Sequence, residues 1–234
     1  MRRAVAFLTP FGGAAPPMPS TLAWFPFVGA GMGLALGGIW WAADRLWAAP
    51  VAAAIVVAAD LALTGMLHFD GLVDSADGLL PPLDRARRLA VMADPAAGAF
   101  GVGVGVAVLL LRWASLATLA PSPVLLGALW CASRYAMARF ARRGRYARPE
   151  GLATAFLGTG PPSLPVAGAG MLLGGALTGA GAGDAVAGVA VLGLASAAVM
   201  GLAGRRVGGF TGDVLGAAGI VGETAGLMAA AARW

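Results

Sequence analysis

The chain has 234 residues, of which 59% are hydrophobic and only 12% charged, with 37 glycines and a formal charge of +5. Charge at about half its usual share excludes an ordinary soluble domain, and with a mean hydropathy of +0.81 the chain is too apolar for a nucleic-acid binder, although its sixteen basic residues are all arginine. A lone cysteine, Cys131, excludes a disulfide framework and reads as packing inside an apolar run.

Met1 to Phe7 is too short for a signal peptide. Apolar stretches then recur over roughly 22–43, 47–67, 100–120, 122–140, 164–182, 185–204 and 214–232. Most are near the ~20 residues that a bilayer span requires. The expected fold is all-α: a polytopic transmembrane helical bundle forming one domain over residues 1–234. It has seven spans, or six if one of the Gly- and Ala-rich pair 164–182 and 185–204 is lost. Such small-residue helices suit close packing, within one chain or between copies in a homo-oligomer.

The arginines follow the same order. Arg2 and Arg3 precede the first stretch, and Arg85, Arg87 and Arg88 lie between the second and third. Arg139, Arg142, Arg143, Arg145 and Arg148 lie between the fourth and fifth, and Arg205 and Arg206 between the sixth and seventh. Seven spans put all of these on one side, and the opposite loops hold one arginine, Arg45. Cytoplasmic loops carry the basic excess, so the N-terminus and the three long loops are expected in the cytoplasm.

Most acids share that side. Asp70, Asp74, Asp77, Asp84, Asp94, Glu150 and Asp213 fall in the same loops, with Glu223 about two turns into the last stretch. Asp60 is mid-span, where an acid costs a few kcal/mol. It is either functional or the partner of Arg112 or Arg134 in a structural bridge.

The densest chemistry is "GMLHFDGLVDSADGLL" at 65–80, which holds the only histidine. If the second helix continues past His68, then Asp70, Asp74 and Asp77 stand at i, i+4 and i+7 and share one face. Carboxylates that close raise each other's pKa unless a cation sits among them. A hard divalent ion resolves the conflict, and magnesium held by a few carboxylates and substrate phosphate is the usual case. His68 is either a hydrogen-bonded structural residue or a proton acceptor, being the one group expected to titrate near neutral pH. Arg134, Arg145 and Arg148 are candidate phosphate-binding arginines, and the run "RRGRYARPEG" at 142–151 also suits anionic membrane lipid. Magnesium with arginines fits transfer of a phosphorylated group, which needs positioning and charge neutralisation above all.

These residues resemble a known family. "LTGMLHFDGLVDSADGL" is similar to the signature of cobalamin synthase, the adenosylcobinamide-GDP ribazoletransferase family. "FPFVGAGMG" at 25–33, "RRLAVMADPAAGAFGV" at 87–102, "SRY" at 133–135, "RYARPEGL" at 145–152 and "GGFTGDVLGA" with Glu223 resemble its other motifs, in the same order. Departures are "FLTPF", which lacks the family's usual arginine, Ile220 in place of a second acid, and Thr159 where some members have lysine. The resemblance implies a magnesium-dependent enzyme of the bacterial or archaeal cell membrane. Its substrates would be adenosylcobinamide-GDP and alpha-ribazole or the ribazole 5'-phosphate, and its products GMP and adenosylcobalamin or its phosphate. It implies catalytic roles for His68, Asp70, Asp74 and Asp77, and metal binding by Asp70, Asp74, Asp77, Asp94, Asp213 and Glu223. Arg134, Arg145, Arg148 and Glu150 are the expected substrate-binding residues. Two other readings are a CDP-alcohol-type membrane phosphotransferase, whose signature also has a DG dipeptide, and a cation-coupled transporter.

Overall fold

Proline and short polar side chains mark where the helices begin in the computed structural model, which describes residues 1–149, 151, 154 and 182–232. The described helices are α1 (Arg2–Leu8), α2 (Phe25–Ala43), α3 (Ala49–Leu63), α4 (Leu67–Leu79), α5 (Arg85–Val91), α6 (Ala99–Thr118), α7 (Pro123–Arg143), α8 (Ala182–Val207) and α9 (Gly212–Ala230). A 3-10 turn over Pro19–Trp24 leads into α2. Pro26, Pro50 and Pro123 occupy first-turn positions, where the missing N–H has no intrahelical partner to lose. Asp84, Ser122 and Thr211 cap α5, α7 and α9 by accepting backbone N–H groups.

Among the described residues, four helical segments are long and apolar enough to cross a membrane: Pro19–Ala43, Ala99–Thr118, Ala185–Val207 and Gly212–Ala230. The chain is a multi-pass membrane protein. Its outward faces are apolar, with Leu194 73% and Leu110 57% exposed, as lipid contact requires. The expected stretch at 164–182 lies outside the described residues, apart from its last residue. The fourth expected span is α7, which has the length at 21 residues. It carries Arg134, Arg139, Arg142 and Arg143, however, and buries much of its surface inside the bundle.

The second stretch differs from expectation. It does not run on past His68: the helix breaks over Thr64–Met66, and α3 and α4 meet at 90°. Gly65 (φ +55°) and Met66 (φ +60°) are both left-handed there, which turns the chain sharply in two residues; glycine accepts this readily and methionine at a cost. At 13 residues, about 20 Å, α4 is shorter than the ~30 Å hydrocarbon core. With α3 it forms a bent pair that together is apolar enough to count as a broken span or a re-entrant loop.

Helix packing relies on missing side chains. Gly29, Gly33 and Gly37 form one stripe of α2, and a Cβ at any of them would collide with the α7 backbone near Trp130, Leu126 or Pro123. Close backbone approach of this kind is how helices associate where lipid removes the hydrophobic driving force. The mostly buried α9 is central, touching α4, α6, α7 and α8.

Candidate functional site

Two groups of charge sit in this frame, one buried and one at a rim. In the buried group, Arg112 of α6 pairs with Asp60 of α3 at 2.5 Å and with Glu223 of α9, and Arg134 of α7 takes the other oxygen of Glu223. Trp130 donates its indole N–H to Asp60 at 3.0 Å, and Arg112 Nε donates to Thr224 at 2.9 Å. Two cations and two anions thus join four helices, each charge hydrogen-bonded, as burial in an apolar medium demands. Asp60 is therefore the bridging residue of the two alternatives raised above.

The rim is built where α4 crosses the start of α9. A Cβ on Gly71 would lie 2.8 Å from the backbone oxygen of Asp213, so only glycine lets the two helices meet this closely. That contact draws Asp70 and Asp74 of α4 towards Asp213 of α9. The Asp74 carboxyl is pushed up to about 6, first by partial burial and then by the neighbouring Asp70 and Asp213 charges. Arg148 answers part of this charge, with an ion pair to Asp213 at 3.3 Å, and Thr211 donates its hydroxyl to the same oxygen at 3.1 Å.

Arg148 is held in place from the other end of the chain. Phe210 N donates to Arg145 O at 2.9 Å, and Ala147 N donates to Phe210 O at 2.8 Å, pairing two short extended segments. Arg85 ties both to α5 by donating to Val207 O at 2.8 Å and Ala147 O at 3.4 Å. Buried Arg88 donates to Gly78 O and Leu79 O, both at 2.8 Å, and so fixes the end of α4. Sequence reasoning took both arginines for topology signals and missed these contacts. The only local hint is their number in a short loop.

Not every expected site residue joins the rim. Asp77 is buried and accepts N–H groups from Gly98 at 2.7 Å and Gly101 at 2.8 Å, so both oxygens hold the N-terminus of α6. Asp94 is exposed, and its carboxylate closes a local turn with Ala96 N at 3.0 Å. Glu223 and Arg134 are engaged with each other in the buried network. Arg145 contributes its backbone to the Phe210 pairing, while its side chain is exposed. Glu150 lies outside the described residues. His68 is 3% exposed, and neither ring nitrogen has a hydrogen-bond partner among the described residues. Burial and then the Arg134 charge push its pKa down to about 3, so it does not titrate near neutral pH as expected from sequence.

Beneath the rim is a cavity of about 170 Å³ whose lining includes Phe7, His68, Asp70, Tyr146, Arg148 and Asp213. The N-terminal helix, α4, the 145–148 segment and the start of α9 therefore meet at one end of the bundle. No three acidic, histidine or cysteine side chains among the described residues stand together as a ready-made metal cage. The donors still suit magnesium. Asp70, Asp74 and Asp213 supply only hard oxygens, their mutual repulsion is incompletely neutralised, and magnesium is commonly held by one or two carboxylates together with substrate phosphate.

The sequence pattern of cobalamin-5-phosphate synthase matches residues 1–231. A Bradyrhizobium diazoefficiens protein called adenosylcobinamide-GDP ribazoletransferase is 38% identical, over 99% of this chain and 93% of its own. One of the same name from a Nocardioides species is 39% identical, over 89% of this chain and 85% of its own. A third, from Thermosynechococcus vestitus, is 46% identical over 55% of this chain, a match that spans about half of that relative (52%). No solved structure matches the chain.

Proposed function

The chain belongs to the cobalamin-5-phosphate synthase family, and from that premise we propose that it is an adenosylcobinamide-GDP ribazoletransferase whose chemistry takes place at the Asp70, Asp74 and Asp213 rim. The observation that carries this assignment is the approach of Asp70, Asp74 and Asp213 to one another beside Arg148 at one end of the bundle. A hydroxyl of alpha-ribazole, or of its 5'-phosphate, attacks the phosphorus next to the cobinamide arm. The new oxygen–phosphorus bond forms as the bond to the GMP phosphate breaks, and GMP leaves with that electron pair.

Magnesium, when bound, neutralises the diphosphate and the departing charge. Asp70, Asp74 and Asp213 would hold it. Arg148, freed from Asp213, takes a phosphate oxygen through its planar fork. We assign the hydroxyl proton to a rim carboxylate, because His68 is too weak a base at neutral pH.

The direct test is GMP release and formation of a complete cobamide by purified protein, with and without magnesium. Turnover is expected to stop on chelation and return with magnesium. Equal turnover in chelator, or CMP release from CDP-diacylglycerol, would remove the reading.

The N-terminus and the arginine loops face the cytoplasm in this proposal. Support comes from their meeting at one end of the bundle, since Arg85 bonds the 147 and 207 backbones and Phe7 shares a cavity with Arg148. Arg87→Cys, on an exposed position of α5, should react with a membrane-impermeant thiol reagent only after cells are broken. Labelling of intact cells would invert the orientation.

A further inference from the structure

We propose that the cavity beneath the rim seats the benzimidazole base of the attacking nucleoside, with a ring N–H of His68 donating to that base's unsubstituted nitrogen. The inference rests on the ribazole-transfer reading and adds where and how the acceptor is recognised.

Size narrows the occupant first. At about 170 Å³ the cavity is smaller than the roughly 300 Å³ at which pockets for drug-sized ligands begin. A corrinoid or a whole guanine nucleotide does not enter it; a single flat ring system does. The chemistry of the walls narrows it further. Phe7, Leu67, Met137, Tyr146 and Leu215 give the cavity a largely apolar lining. Guanine carries several donors and acceptors on its edge, and against this apolar wall most would be left unpaired, at a cost per group; the polar side of the cavity, Asp70, Arg148 and Asp213, is assigned to the diphosphate. A dimethylbenzimidazole joined to ribose has one free acceptor nitrogen and two methyl groups. It needs one donor and otherwise apolar contact.

His68 provides that donor. It is 3% exposed, lines the cavity, and has no hydrogen-bond partner for either nitrogen among the described residues. A buried polar group left so calls for a partner. Its ring lies across Gly216, where a Cβ would come within 3.5 Å of His68 Cδ2, so a larger residue there would crowd the imidazole. The same cavity reaches Asp70 and Asp213. A base held against His68 therefore directs its sugar hydroxyls to the carboxylates where the diphosphate is bound, as attack on phosphorus requires.

The test compares binding of alpha-ribazole with its indole counterpart, in which the free ring nitrogen is replaced by carbon, to purified protein in detergent. Wild type should bind alpha-ribazole about tenfold more tightly than the indole nucleoside, the worth of one neutral hydrogen bond. His68→Leu should bind the two equally. Met137→Trp, which adds bulk to the cavity lining, should weaken both by at least about tenfold, and it decides the matter if His68→Leu does not fold. Retained preference in His68→Leu, no loss in Met137→Trp, or no binding by wild type would each overturn the proposal. GMP release by the wild type, measured alongside, separates this failure from failure of the transferase reading.

Discussion

Asp74→Asn is expected to abolish GMP release, by at least about a hundredfold, while the protein still inserts and unfolds at an unchanged or higher temperature. The rate effect is the size seen when one preorganised electrostatic contact to a developing charge is removed. The stability effect has the opposite sign for a physical reason. Partial burial and the Asp70 and Asp213 charges raise the Asp74 pKa to about 6, so near neutral pH its surroundings oppose the ionised form. Asparagine removes the repelled charge, and folding loses nothing. Measuring turnover and thermal unfolding on one preparation separates a functional carboxylate from a structural one. Normal turnover in this variant would exclude the rim as the reaction centre.

The second large effect lies in the buried network. Arg112→Met leaves Asp60 with its Trp130 hydrogen bond and no ion pair, and Glu223 with Arg134 as its one remaining ion-pair partner among the described residues. Breaking a buried pair in this way costs about 3–5 kcal/mol, because a charge is left uncompensated in an apolar interior. Most of the variant should fail to accumulate as folded protein. Asp60→Leu together with Arg112→Met removes one cation and one anion and keeps Glu223 balanced by Arg134. The double variant is expected to be more stable than Arg112→Met, a coupling that denaturation of all three variants would measure. Strictly additive losses would show that the four charges do not act as a unit.

The helical class, the membrane setting and most helix positions are legible in the sequence, because apolar length and proline position are local properties. So is a bridge from Asp60 to an intramembrane arginine, since unpaired charge in lipid is costly; that Arg134 would take Glu223 instead is not. The turn at Gly65 and Met66 was not legible. Glycine there is compatible with a continuing helix, and nothing local announces a left-handed methionine. The fate of Asp77 depends on the 80–98 segment folding back to place Gly98 and Gly101 under its carboxylate, a long-range event that helical spacing cannot register. Asp213 reaches Asp70 and Asp74 only because Gly71 lets two backbones touch. In a chain with 37 glycines, that one does not stand out.

The neutrality of the buried network has an energetic corollary. A unit charge moved across a membrane gains or loses about 2.3 kcal/mol per 100 mV. Asp60, Glu223, Arg112 and Arg134 sum to zero, so the resting potential does no net work on them when they shift together. The cluster that fastens the four helices therefore gives the membrane voltage no net handle of its own.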